Sequence, residues 1–367
     1  MGRSALFVFT NASPQICIAR IGTHGTRFLP DAIMQRRWNC CNDRVTSAMV
    51  GHMSFWNTLP RPFFVMAPME DVTDAAFRQM FAVHGKPHVT YTEFTSADGL
   101  VLAPEPGKTK LLKKFLFADN ERPIVAQLFS ASPERMEAAA RLAADMGFDG
   151  VDINMGCPDR AVEKQGCGAA LINNPELAVE LMRAVRRGAP RLPLSVKTRI
   201  GYNTDELERW VPQILAEEPA ALTLHMRTRK EMSDVPAHWE RMRDTVAIRD
   251  SLGSKTLLIG NGDVFDLADA RAKAAESGCD GIMLGRAIFG NPWLFAEHTP
   301  SPKERVAVLS EHLHRFEELL GTTTHYAVMK KHFKAYIHGW DNAKDLRVQL
   351  METNSAAEAQ AVLAAHV

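Results

Sequence analysis

Residues 123–154 read PIVAQLFSASPERMEAAARLAADMGFDGVDIN. A nearly unbroken apolar run, PIVAQLF (123–129), gives way to a polar break, then to PERMEAAARLAADMG, a segment with helical spacing. A second apolar run, GVDIN (150–154), follows. Met136, Ala140 and Ala143 fall on one face of the intervening helix. Two strands apolar on both faces and joined by a helix make a parallel pair covered on both sides.

The same unit recurs outward in both directions. FFVMA (63–67), HVTYTE (88–93), LPLSVKT (192–198), ALTLH (221–225), TLLIGNG (256–262) and GIMLGR (281–286) complete a set of eight strands. Helical segments such as PELAVELMRAVRRG and DLADARAKAAESG lie between most of them, the latter ending on a glycine suited to a C-cap. Eight such units predict a (β/α)8 TIM barrel over 53–298, with an open doubly wound sheet as the alternative. After Trp293 only helical patterns remain: TPSP (299–302) marks a hinge, and 303–367 reads as a small all-helical domain.

Composition agrees with a globular protein. The chain has 367 residues, 46% hydrophobic and 23% charged, with 43 basic and 43 acidic side chains, so contact with a polyanion has to come from a local patch. No apolar run approaches a membrane span, and a cytoplasmic protein is expected, with no membrane partner and no stable protein partner implied. Six cysteines, at 17, 40, 41, 157, 167 and 279, show neither zinc spacing nor disulfide density, and no metal is expected. Residues 1–52 carry six arginines, no lysine and two acids without periodicity, and are read as a leader outside the core. It is either a disordered or transit segment, or the product of a start assigned upstream of Met53; the second reading is preferred.

In a barrel of this kind the C-terminal ends of the strands form the active-site face. Here they carry Pro68 and Met69, Glu93, Gln127, Asn154 and Cys157, Lys197 and Arg199, His225 and Arg227, Asn261-Gly262-Asp263, and Gly285-Arg286. The last two sets form short glycine-bearing loops, each expected to lead into a helix and to hold a phosphate on free backbone N–H groups, with Arg286 adding charge.

Several stretches resemble the FMN-dependent tRNA-dihydrouridine synthases: MAPMEDVTD (66–74), TEFTSADG (92–99), DINMGCPDRAVEKQGCGAALI (152–172), SVKTRIG (195–201), LHMRTR (224–229), IGNGDV (259–264) and GRAIFGNPW (285–293). The resemblance covers about residues 54–340. It implies a flavin barrel and a helical tRNA-binding domain, with NADPH reducing FMN and reduced FMN reducing a uridine of tRNA. By the same resemblance Pro68 and Met69 back the flavin ring, Gln127 meets its pyrimidine edge and Lys197 the nitrogen that becomes anionic. His225 contacts cofactor or substrate. Asn261, Gly262, Asp263, Gly285 and Arg286 take the ribityl-phosphate arm. Met226 and SDVPAHW (233–239) depart from the family pattern.

Cys157 matches the family's proton donor, a role open to a thiol whose ordinary pKa of about 8.5 leaves it protonated at neutral pH. Asn154, Arg199 and Arg227 are expected at the substrate, Cys167 in a structural turn, and Lys330, Lys331 and Lys334 on a helix face that meets tRNA phosphates. The alternative function is a small-molecule FMN reductase of the dihydroorotate dehydrogenase or old-yellow-enzyme type, for which the appended helices have no evident role.

Overall fold

The computed structural model describes residues 54–366; the leader 1–52, Met53 and three cysteines (17, 40 and 41) lie outside the described residues. The strands are β1 (Phe63–Met66), β2 (Thr90–Tyr91), β3 (Thr95–Ser96), β4 (Ile124–Phe129), β5 (Gly150–Met155), β6 (Leu194–Arg199), β7 (Ala221–His225), β8 (Leu257–Asn261) and β9 (Gly281–Leu284). They pair in parallel in the order β1-β9-β8-β7-β6-β5-β4-β2, with β3 also on β4. Val65 bridges to Val89, just before β2, and the ring closes. The eight-fold barrel read from the periodicity is present.

One predicted strand differs. The stretch 88–93 does not run straight through to the mouth: Thr92 Oγ1 accepts the Gln127 N–H at 3.1 Å and donates to the Glu93 carbonyl at 3.0 Å, and the chain turns there before resuming as β3. A side chain of the strand has replaced a rung of its own ladder.

The helices are α1 (Ala75–His84), α2 (Ala97–Leu102), α3 (Gly107–Lys113), α4 (Pro133–Asp145), α5 (Arg160–Glu163), α6 (Pro175–Gly188), α7 (Leu207–Leu215), α8 (Glu240–Ser251) and α9 (Leu267–Ser277). Their ends follow from local chemistry. Ser132 caps α4 with Pro133 in its first turn, Asn174 and Pro175 do the same for α6, and α9 ends on Gly278 at φ 75°. Met136, Ala139, Ala140 and Ala143 of α4 are buried against Val151, Ile153 and Met155 of β5.

Strand alternation divides the barrel interior into two zones. Near the N-terminal end Phe63, Val65, Tyr91, Val125, Ala221, Ile259 and Met283 form an apolar plug, closed below by Trp56. Nearer the mouth the inward positions turn polar: Gln127, Asp152 and Asn154, Ser195 and Lys197 occupy adjoining strands in register. The fold thus builds an apolar floor under a polar site.

The C-terminal helices are α10 (Pro302–Leu320), α11 (Lys330–Tyr336), α12 (Ala343–Glu352) and α13 (Ala356–Ala364). A reciprocal capping box between Ser301 and Glu304 starts α10 after the TPSP hinge. Their core, with Leu309, Leu313, Phe316, Phe333 and Leu350, takes in Ala76 and Met80 of α1 and Trp293 from the last barrel loop. Lys113 adds a tie from α3 to the Leu319 carbonyl at 2.7 Å.

Candidate active site

Cys157 lies on the loop after β5 and is held from two sides. Asn154 Oδ1 accepts the N–H groups of Gly156 at 3.1 Å and Cys157 at 2.9 Å, and the Cys157 carbonyl accepts the N–H of Ala169 at 2.9 Å. Gly168 sits at φ 61°, where a Cβ would stand 2.7 Å from the Cys157 carbonyl oxygen; only glycine lets the two turns approach this closely. Burial pushes the half-buried thiol up, opposed by the Asp159 backbone N–H and the positive charges of Lys197 and Arg199. It is therefore a protonated thiol at neutral pH. Cys167 is buried beside it, raised to about 12 chiefly by burial, and serves as packing, as its place in a turn suggested.

Lys197 points into the mouth from β6. Among the described residues its ammonium makes no hydrogen bond and no ion pair, and burial lowers its pKa to about 8, with Arg199 adding to the effect. His225 is half-buried beside it. Its Nε2 lies 3.1 Å from Arg227 Nη1, and since a guanidinium only donates, Nε2 is the acceptor and the ring proton sits on Nδ1. Burial, then the charges of Arg199, Lys197, Arg227 and Arg286, keep this ring neutral.

Several expected binding residues are also bonded within the protein. Asn154 does not face a substrate alone: its Nδ2 donates to Gln127 Oε1 at 3.1 Å while its oxygen holds the Cys157 loop. Arg199 is buried and donates to the carbonyls of Gly156 at 2.9 Å and of Thr228 and Met232 at 3.0 Å, stitching three loops together. Arg227, also buried, donates to the Val235 carbonyl at 2.6 Å and pairs with Asp263. Asn261 Nδ2 donates to the Met283 carbonyl at 2.8 Å, across β8 and β9. Asp263 carries Arg227 on one oxygen and Arg286 on the other, so its part is to aim Arg286, whose side chain is 67% exposed.

The two glycine loops differ from each other. Gly262, at φ 118°, backs the His225 ring, and its loop leads into α9. Gly285 leads only into a three-residue 3-10 turn, Arg286–Ile288, where a helix was expected; Gly290 reverses the chain at φ 62° directly after it. Among the described residues the N–H groups of Gly262, Asp263 and Gly285 donate to no acceptor.

After β1, the Met69 N–H is taken by Thr73 Oγ1 at 2.9 Å, so Pro68 and Met69 offer a mainly apolar surface. Glu93, at the end of the second strand, is buried, accepts the Asp71 N–H at 2.7 Å and is raised to about 7 by burial. Lys330 donates to the Met351 carbonyl at 2.8 Å and Lys331 to the Asp71 carbonyl, each with further donors left, and Lys334 is exposed and unpaired among the described residues.

The arrangement also contains residues that the strand-end reading passed over: Asp152 and Ser195, one layer below the mouth, and Tyr91 beneath them. The available signal was period two. Within the apolar run of β5, residues 152 and 154 are polar on the same face, which in a buried strand is the inward one.

The sequence profile of the family described as dihydrouridine synthase matches residues 65–367. A probable tRNA-dihydrouridine synthase of Staphylococcus epidermidis is 43% identical over 316 residues, 84% of this chain and 95% of that protein. Probable tRNA-dihydrouridine synthase 2 of Bacillus subtilis is 41% identical over 314 residues, again 84% of this chain and 95% of that protein. The solved structure of an old yellow enzyme homologue from Zymomonas mobilis aligns with a TM-score of 0.43 at 17% identity, over 65% of this chain and 89% of that one.

Proposed function

Because the chain belongs to the dihydrouridine synthase family, we propose that it reduces a uridine of tRNA to dihydrouridine, with FMN at the barrel mouth, NADPH as the reductant and the cytosol as its place of work. The observation that carries this reading is the pairing, at one mouth, of a protonated thiol with an ammonium that has no bonded partner. Two-electron reduction of a carbon–carbon double bond needs both: a proton for one carbon, and a fixed positive charge where negative charge accumulates.

The residues suit the cofactor. The unpaired N–H groups of Gly262, Asp263 and Gly285, with Arg286 aimed by Asp263, would take the phosphate. Pro68 and Met69 would meet the ring on their apolar side, Gln127 would reach its edge with its remaining amide hydrogen, and Lys197 would stand by the nitrogen that gains charge. The chemistry FMN supplies there, once reduced by NADPH, is hydride addition to carbon 6 of the uracil.

Cys157 then gives its S–H proton to carbon 5 from the opposite face, the new C–H bond forming as the S–H bond breaks, and the thiolate regains a proton from water. Asn154 and Gly168 act on Cys157 by fixing its loop, and Arg199 both holds the Gly156 carbonyl and sets a positive charge near the thiol. The helices of 303–367 would hold the tRNA, with Lys330, Lys331 and Lys334 as candidate phosphate contacts; Lys334 alone of the three makes no bond among the described residues. A small-molecule reductase gives these helices no work. Among the described residues no helix is long and apolar enough to cross a membrane.

The purified protein is expected to be yellow, with one non-covalent FMN per chain, and Lys197→Ala to bind or reduce it less well. Flavin content after denaturation and anaerobic reduction by NADPH measure this. A colourless protein that takes up no flavin when FMN is added would refute the site.

A further inference from the structure

Asp152 and Lys197 stand on neighbouring strands and both point into the barrel, Asp152 level with Ser195 and Lys197 one layer nearer the mouth, level with Asn154. The hydrogen bonds around Asp152 run one way. Ser195 Oγ donates to Oδ1 at 2.6 Å and Gln127 Nε2 to Oδ2 at 2.7 Å; with the Ser195 proton so placed, the Tyr91 hydroxyl, 3.4 Å away, is donor to Ser195. The order continues upward, since Gln127 Oε1 accepts from Asn154 Nδ2 and Asn154 Oδ1 accepts from the Cys157 loop. Both carboxylate oxygens receive a donor, the arrangement that suits an ionised Asp152.

The titratable groups around Lys197, besides Asp152, stand on three sides. Arg199 follows it on β6, the neutral His225 lies on β7, and the Cys157 thiol, protonated, hangs from the loop after β5. Of the groups facing it, Asp152 alone is negative at neutral pH. We propose that Asp152 is a positioning residue of this site, its buried carboxylate serving as the counter-charge that keeps Lys197 an ammonium at the barrel mouth.

The signs agree. Burial raises Asp152 to about 6, so the carboxylate is charged above that pH. Burial lowers Lys197 to about 8, so the ammonium is charged below that pH, and the two charges coexist between. Without Asp152, burial and Arg199 remain and would carry the lysine lower by about one unit or more, a tenfold change in proton affinity.

The inference rests on the flavin reading only for its readout. In the holoenzyme the midpoint potential of the bound flavin is followed across pH 5.5 to 9 by visible spectroscopy, for the unsubstituted protein, Asp152→Asn and Lys197→Ala. A change of slope that Lys197→Ala abolishes reports the ammonium, and in Asp152→Asn it is expected at a pH lower by about one unit or more. Asparagine is isosteric and can donate to Ser195 while accepting from Gln127, so the amide order survives; if that variant does not accumulate, Asp152→Ser takes its place. A break at the same pH in the variant, or no break that Lys197 controls, overturns the proposal. A protein that binds no flavin refutes the flavin reading instead. The pair is then tested by acetylation of Lys197 with an amine-reactive ester at pH 7.5, read by mass spectrometry: about threefold faster in Asp152→Asn is expected, and equal rates overturn it.

Discussion

Replacing Cys157 with alanine is expected to slow reduction of tRNA uridine by about 10²–10⁴-fold while leaving flavin content and reduction by NADPH as in the unsubstituted protein. The size follows from what is removed: a proton donor at the reacting carbon, and little else. The side chain is half-buried, and the loop is held through its backbone by Asn154 and Ala169, so the alanine variant keeps the turn. Stopped-flow mixing of the pre-reduced protein with unmodified tRNA separates the half-reactions. Reoxidation of the variant by tRNA at the unsubstituted rate would remove the thiol from its role.

Glu121→Ala is expected to destabilise the fold by about 3–5 kcal/mol, more than a surface ion pair would. Glu121 lies before β4 and pairs at 2.7 Å with Arg78 of α1, both side chains fully buried. The same guanidinium donates to the Thr73 carbonyl at 2.8 Å and to Leu116, and Glu121 Oε1 accepts the Ala118 N–H at 2.7 Å. Deleting the carboxylate leaves a positive charge in an apolar setting, beneath the loop that presents Met69. Urea unfolding measures the loss. The double variant Arg78→Met/Glu121→Leu should recover a large part of it, because the desolvated charge is gone as well. A loss under about 1 kcal/mol for Glu121→Ala alone would mean that water reaches the pair.

The barrel was legible because burial on both faces writes itself into every strand and the helices between carry their own caps; Ser132-Pro133 and Gly278 stand where local chemistry alone would put them. The break at Thr92 was not, since it depends on a hydroxyl meeting the N–H of Gln127 on a strand more than thirty residues on. The position of Cys157 followed from its motif. What the motif could not reveal is which polar residues of the mouth face outward. Arg199, Arg227 and Asn261 have the side chains of ligand-binding residues, yet each meets backbone carbonyls that loop geometry brings to it. Lys330 and Lys331 read as a basic face, and their contacts with the neighbouring carbonyls of Met351 and Asp71 were likewise not legible. Asp152 escaped notice for the opposite reason: its chemistry lies inside the barrel, below the strand ends where function is ordinarily sought.

The central claim, that this barrel mouth passes two electrons and a proton to a uridine of tRNA, is tested most directly by anaerobic single turnover. The protein is reduced with NADPH, freed of excess reductant and mixed with unmodified tRNA; flavin absorbance is followed, and the nucleosides are then analysed by mass spectrometry. The account predicts that the oxidised flavin spectrum returns and that one uridine gains two hydrogens for each flavin reoxidised. A flavin that stays reduced in the presence of tRNA, or is reoxidised without any dihydrouridine appearing, would contradict it.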